Sequence, residues 1–280
     1  MDTTLDPRAV HAPDAYEALR RLEADIAAEV PADLLEAGRQ RVAISLGQEP
    51  WTSAGSDPVL TFTDQFVIDV TSVDVAPLAA RLGEKVGPFV QALWVLDLGM
   101  RADITLGRVF GAPCPPREPV PATSYAASFD EYLVSVARLR NLDATTSELV
   151  RLRGARFHNC RLCKSLRTVS ALREGADEAM FDKIDLYETS DLDERLKVAL
   201  RLTDAMVTQP ASITDELVAQ VRSHFSDAQI VELVCDVMRN AANKVAVAFG
   251  ADEPNVTEGV ELYDVLPDGN LVYGLTNTTG

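Results

Sequence analysis

The chain echoes itself at long range. Residues 62–112, FTDQFVIDV…RVFGA, resemble residues 202–251, LTDAMVTQP…AVAFGA. Thr63-Asp64 lies 140 residues before Thr203-Asp204, and Phe110-Gly111-Ala112 lies 139 before Phe249-Gly250-Ala251. A near-constant offset with matching helix-end residues predicts two related units that stack to share burial. The proline-rich stretch GAPCPPREPVPATS, Gly111 to Ser124, reads as the connection. The predicted organisation is a degenerate first repeat over residues 1–112, a linker over 113–127, and a second repeat with a tail over 128–280.

The periodicity within each unit is helical. Apolar residues recur three and four apart and alternating runs are few, so the predicted class is all-α. Asp191 to Val207 fits an amphipathic helix ended by Pro210, and Thr214 caps the next. Ser226 caps a long apolar helix expected to run to Gly250. Its Asn240 and Asn243 read as buried, hydrogen-bonded structural residues. The exception to helix is the terminal ELYDVLPDGNLVYG, a short hairpin turning at Pro267-Asp268-Gly269.

Within the second unit, Glu148 is followed after eleven residues by Cys160-Arg161-Leu162-Cys163. Two cysteines three apart close an easily exchanged disulfide, and a nearby carboxylate can move the proton this chemistry needs. The same spacing also suits a buried structural pair or half of a zinc site. Zinc would need further ligands from Cys114, Cys235, His158 and His224, which form no second CxxC and no close histidine pair. Cys114 lies in the proline-rich stretch, and Cys235 reads as a small buried thiol on an apolar helix.

Charge narrows the partners. The net charge of −17 argues against nucleic acid and anionic membranes. No run reaches transmembrane length, and MDTTLDPRAVHAPDAYEALRRL lacks the apolar core of a signal peptide. Four cysteines in 280 residues make no disulfide scaffold, so the expected compartment is a reducing cytoplasm. Arg138 to Arg173 carries nine basic residues against Asp143 and Glu148, a local +7 that leaves the remainder at −24. That segment is either a solvated, ion-paired surface or a positive field that favours thiolate or an anionic substrate.

Asn159 is the expected N-cap of a helix with Cys160 in its first turn, where free amides favour a thiolate. Residues 160, 163 and 167 would then share one face. On one unbroken helix Glu148 would lie about 18 Å from Cys160, so the chain is expected to turn near His158-Asn159. In that arrangement Glu148 is a general base towards one thiol, or else a salt-bridged structural residue.

Glu148, the CxxC and the helical duplication together resemble the carboxymuconolactone decarboxylase superfamily, in its alkyl hydroperoxidase D-like branch. That branch is marked by Glu, eleven residues, CxxC, three residues and His. Residues 148–250 carry the resemblance. It implies a duplicated alkyl hydroperoxidase D-like helical bundle and a homo-oligomer, a trimer or else a dimer. It also implies reduction of a hydroperoxide or disulfide without metal, flavin or other cofactor, sustained by a thiol electron donor. By the same resemblance Cys163 attacks and Cys160 resolves. Arg167 stands where the histidine is expected; it stabilises a thiolate but shuttles no proton. His158 is the substitute relay or a structural residue. The superfamily also supplies two other readings: a non-redox decarboxylase of a lactone carboxylate, and a non-catalytic helical assembly protein.

In the first unit, residues 32–48 parallel the motif region. Setting Asp33 opposite Glu148 puts Ser45 and Gln48 at the cysteine positions, a copy without the chemistry.

Overall fold

Local chemistry sets where the helices begin. Asp57, Asp143, Asp193 and Thr214 each accept a hydrogen bond from an amide of the following turn, and Ser226 with Gln229 closes a capping box. The computed structural model describes residues 5–276, which are mostly helical. The first half runs α1 (Pro7–His11), α2 (Pro13–Glu29), α3 (Ala32–Ser45), α4 (Pro58–Ile68), a 3-10 turn, α5 (Val75–Leu82) and the long α6 (Val86–Phe110). Irregular chain leads to α7 (Tyr125–Ala137) and α8 (Ala144–Phe157). Next come α9 (Arg161–Lys164), strand β1 (Leu166–Thr168), α10 (Val169–Arg173) and α11 (Glu178–Asp182). After a 3-10 stretch follow α12 (Glu194–Thr208), a second 3-10 turn, α13 (Asp215–His224), α14 (Asp227–Asn240) and α15 (Asn243–Ala248). Strands β2 (Glu261–Val265) and β3 (Leu271–Leu275) follow.

Two features depart from the all-α expectation. The hairpin forms, with β2 and β3 antiparallel, but β1 joins it in parallel, pairing Leu166 with Glu261 and Thr168 with Tyr263. The segment just after the CxxC therefore becomes a strand because the tail offers it an open edge. The hairpin turn docks on α7: Arg138 Nε donates to Asp268 O, and a Cβ on Gly269 (φ 88°) would collide with Val134 O. The second departure is a break in the long apolar helix at Ala241-Ala242, which divides it into α14 and α15.

The order helix, 3-10 turn, helix, long helical segment occurs in both halves. So do particular bonds. Arg41 Nε meets Asp64 Oδ1 at 2.6 Å, and Arg153 Nε meets Asp204 Oδ1 at 2.5 Å. Gly47 (φ 70°) and Asn159 (φ 52°) both adopt left-handed backbone just past a helix. In each half the next amide returns to the helix, Gln48 N–H to Ala43 O and Cys160 N–H to Ala155 O. Thr63 and Thr203 are both buried, each donating its hydroxyl to the carbonyl four residues back. The matches around α3 and α8 are 112 residues apart, three fewer than the spacing implied by Asp33 opposite Glu148. At that spacing Glu36, Gln48 and Trp51 stand opposite Glu148, Cys160 and Cys163.

The larger core is shared between the halves, and a smaller one around Phe181 and Ile184 belongs to the second alone. The shared core takes Phe66, Trp94 and Leu98 from the first and Leu202, Val234 and Met238 from the second. Here α6 packs against α14, and α2 against α7. The Trp94 indole donates to Met238 O at 3.1 Å. Inside this apolar junction lies a charged cluster: Asp97 accepts from Arg101 Nε and from Lys244 Nζ, both at 2.6 Å. Arg101 also donates to Val67, Met206 and Thr208 carbonyls at the ends of α4 and α12. Removing Asp97 would leave two buried cations without their anion. Asp97→Ala is therefore expected to cost about 3–5 kcal/mol, read as a lowered urea midpoint.

Candidate functional site

The turn expected between Glu148 and the cysteines is present: α8 stops at Phe157, and left-handed Asn159 redirects the chain into α9. Asparagine tolerates that conformation better than most residues. The cap, however, is Cys160 rather than Asn159: Cys160 Sγ accepts the Cys163 N–H at 3.2 Å. Asn159 is already left-handed, so its side chain is not placed to cap.

The tail clamps the motif. Asp252 accepts from the Arg161 amide at 2.8 Å and from its guanidinium at 2.7 Å, while Asp252 O accepts from Leu162 N–H at 2.9 Å. Ser165 O accepts from Glu261 N–H, continuing into the β1–β2 pairing. The result buries Cys160 and leaves Cys163 partly exposed, both as free thiols.

Glu148 is buried, and its carboxylate is held by Arg151 Nε and Nη2, each at 2.7 Å, with Thr168 N–H at 3.2 Å. Arg151 also donates to Cys163 O and Leu166 O, both at 2.8 Å, and its guanidinium lies over the Tyr263 ring. Glu148 thus connects to the motif through Arg151 and the backbone of Cys163.

Arg167 does not share a face with the thiols, because α9 ends at Lys164 and β1 begins at Leu166. Its guanidinium pairs with Glu178 and donates to Lys164 O and Leu166 O. His158 is buried, packed edge-on against Phe157. Burial, with Lys244 nearby, pushes it down to about 3, so it is neutral near pH 7. Its neighbour is Asn243, and His158 Nδ1 and Asn243 Oδ1 are both buried without a hydrogen bond of ordinary geometry.

Asn243 is the residue the sequence reading set aside as structural. Its Nδ2 lies 3.3 Å from Cys163 Sγ. The break between α14 and α15 puts it at the start of the new helix. A polar side chain on an apolar helix was the only sequence signal for it. For the Glu148–Arg151 lock the signal was the i, i+3 spacing, which places the two side chains together on a helix.

These contacts divide the thiols. The Cys160 S–H bond, then Asn243 and Arg151, bring Cys163 down to about 7 despite its burial. The same bond, with burial, pushes Cys160 up. Of the two thiols, Cys163 is thus the one favoured to ionise, with Cys160 keeping its proton. Cys114 and Cys235 are both pushed up to about 12, chiefly by burial. Cys114 neighbours Asp6 and Asp103 rather than the CxxC, and those carboxylates pair with Arg8 and Arg117.

The basic segment is largely neutralised. Arg151, Arg153, Arg156, Arg161 and Arg167 pair with Glu148, Asp204, Asp185, Asp252 and Glu178. Behind Glu148 and Arg151 a cavity of about 280 Å³ is also lined by Glu232, Asp236, Asn240 and Tyr263, and by neither cysteine. Burial and then Glu232 push Asp236 up to about 7.

Because the thiolate is the nucleophile, iodoacetamide alkylation of Cys163 should rise with pH to a plateau, with a midpoint near 7. Cys160→Ala removes the largest stabilising contact, so it should move that midpoint upwards. Peptide-resolved alkylation rates check both.

No family model matches the chain, and no solved structure matches it. It is 42% identical to Uncharacterized protein Rv2313c of Mycobacterium tuberculosis strain H37Rv, across 83% of this chain and 88% of that protein. The same figures hold for Uncharacterized protein MT2376 of strain CDC 1551. Uncharacterized protein YdfG of Bacillus subtilis is 27% identical over 118 residues, which are 39% of this chain and 77% of that protein. The chain belongs to the family of these Mycobacterium tuberculosis proteins.

Proposed function

We propose that the protein is a thiol-dependent peroxidase/disulfide oxidoreductase working through Cys160 and Cys163. The observation that carries this reading is the partly exposed Cys163, whose sulfur meets Asn243 and is lowered by the adjoining Cys160 thiol. The bonds repeated around α3 and α8 support the proposed ancestry, a duplicated alkyl hydroperoxidase D-like bundle in which residues 128–280 hold the site. In the proposed cycle the Cys163 thiolate attacks an oxygen of a hydroperoxide or a sulfur of a disulfide. The O–O or S–S bond breaks, and a sulfenic acid or mixed disulfide results. Cys160 then attacks Cys163 Sγ, expelling water or the second thiol, and the Cys160–Cys163 bond forms. Two equivalents of an external thiol then reduce that bond by exchange, leaving as their own disulfide and returning both cysteines to thiols. Among the described residues no helix is long and apolar enough to cross a membrane. A homo-oligomer in the cytoplasm completes the proposal.

A second reading has its own support. Glu148 and Asp236 line a cavity that the cysteines do not enter, and Asp236 titrates near neutrality. That suits acid–base chemistry of the non-redox, decarboxylase-like kind.

One experiment separates the two: thiol mapping by mass after one equivalent of an organic hydroperoxide or a small disulfide. The proposal expects a dithiothreitol-reversible Cys160–Cys163 bond with at least one oxidant. Thiols that remain free with both would overturn the proposal and leave the two non-redox readings, the cavity chemistry and the assembly protein.

A further inference from the structure

Resting on the dithiol reading, we infer that the oxidising substrate of Cys163 is a disulfide rather than a hydroperoxide. The two attacks differ in what must leave. Breaking an O–O bond expels an alkoxide or hydroxide, whose conjugate acid has a pKa near ~16, so a proton must arrive as the bond breaks. Breaking an S–S bond expels a thiolate of pKa about 8.5, which departs unprotonated.

The groups around Cys163 suit the second case. Glu148 is tied to Arg151 and to the Thr168 amide. Arg167, at the position expected for a relay histidine, is bound to Glu178 and to two carbonyls. His158 is buried and neutral, beside Asn243. Asp252 is ionised and held by Arg161. Tyr273, on β3, faces the same region with its ring stacked on Tyr263, and burial raises its phenol. Asn243 donates to Cys163 Sγ and has no proton to surrender. It is a positioning residue that holds the thiolate, with His158 beside its carbonyl oxygen.

Cys160 carries a proton, but it is withheld while needed for peroxide. Its thiol is raised by the bond to the Cys163 thiolate, so it is a weak acid during the attack. Once Cys163 is neutral in a mixed disulfide, that cause disappears and Cys160 ionises more easily. The exchange then balances. Cys163–S⁻ attacks RS–SR′, forming Cys163–S–SR and R′S⁻, and the Cys160 proton passes to R′S⁻. The Cys160 thiolate attacks Cys163 Sγ and releases RS⁻, which takes a proton from water. The protein loses two electrons and the disulfide gains them.

The test is rapid-quench mapping of the reduced full-length protein at pH 7 with 2-hydroxyethyl disulfide and, separately, tert-butyl hydroperoxide. Each rate is divided by that of a free thiol of pKa about 7. The disulfide ratio is expected to exceed the hydroperoxide ratio by about tenfold or more. Asn243→Ala should raise the Cys163 alkylation midpoint and slow disulfide attack at pH 7, with recovery above the new midpoint; a purely structural role would shift thermal stability and not the midpoint. A hydroperoxide ratio equal to or above the disulfide ratio overturns the inference while sustaining the dithiol centre. Failure to form the Cys160–Cys163 bond with either oxidant overturns the reading beneath it.

Discussion

The site depends on one guanidinium. Arg151 neutralises buried Glu148, donates to the carbonyls of Cys163 and Leu166, and stacks on Tyr263 from the tail. Three parts of the chain that are distant in sequence, helix α8, the cysteine turn and strand β2, are fixed by this group. A buried charge pair contributes little net stability against an apolar alternative, but its loss leaves the remaining charge and carbonyls unpaired. Its contribution is geometric. It holds the Cys163 backbone while Asn243 and Cys160 act on the sulfur.

The other half shows what the fold is without that arrangement. The same left-handed turn follows α3, but Gln48 and Trp51 stand where the cysteines stand after α8. Glu36 pairs with Arg39 there too, but at 3.4 Å and on an exposed surface, where such a pair is screened. Among the described residues no equivalent of Asp252 and β2 covers it; the chain after Gly111 instead reaches α2, with Arg117 on Glu23 and the Thr123 amide on Asp25. The helix order and the Arg–Asp bonds recur in both halves, whereas Asp252 and β2 hold only the turn that carries the cysteines.

Much of this was legible in the chain. The caps at Thr214 and Ser226, the turn at His158-Asn159 and the hairpin around Gly269 follow from local rules, because each is settled by residues close in sequence. What was not legible is tertiary. Nothing near Ala241-Ala242 announces a helix break, and nothing near Asn243 says that its amide will meet a sulfur eighty residues earlier. The face proposed for Arg167 failed because strand pairing with the tail replaced the helix after one turn. The arginines of the two similar ion pairs, Arg41 and Arg153, stand 112 residues apart rather than the 115 of Asp33 and Glu148, and their partners lie on other helices, out of reach of a local reading.

The proposed function requires the two cysteines to act as one reversible couple. Equilibration of the protein in glutathione buffers of graded potential, followed by mass tagging of free thiols, measures this directly. The prediction is joint loss of the Cys160 and Cys163 thiols as a two-electron couple, with a tenfold change in the oxidised-to-reduced ratio per about 30 mV, while Cys114 and Cys235 stay free. Independent titration of the two cysteines, or persistence of both thiols across the range, would contradict it.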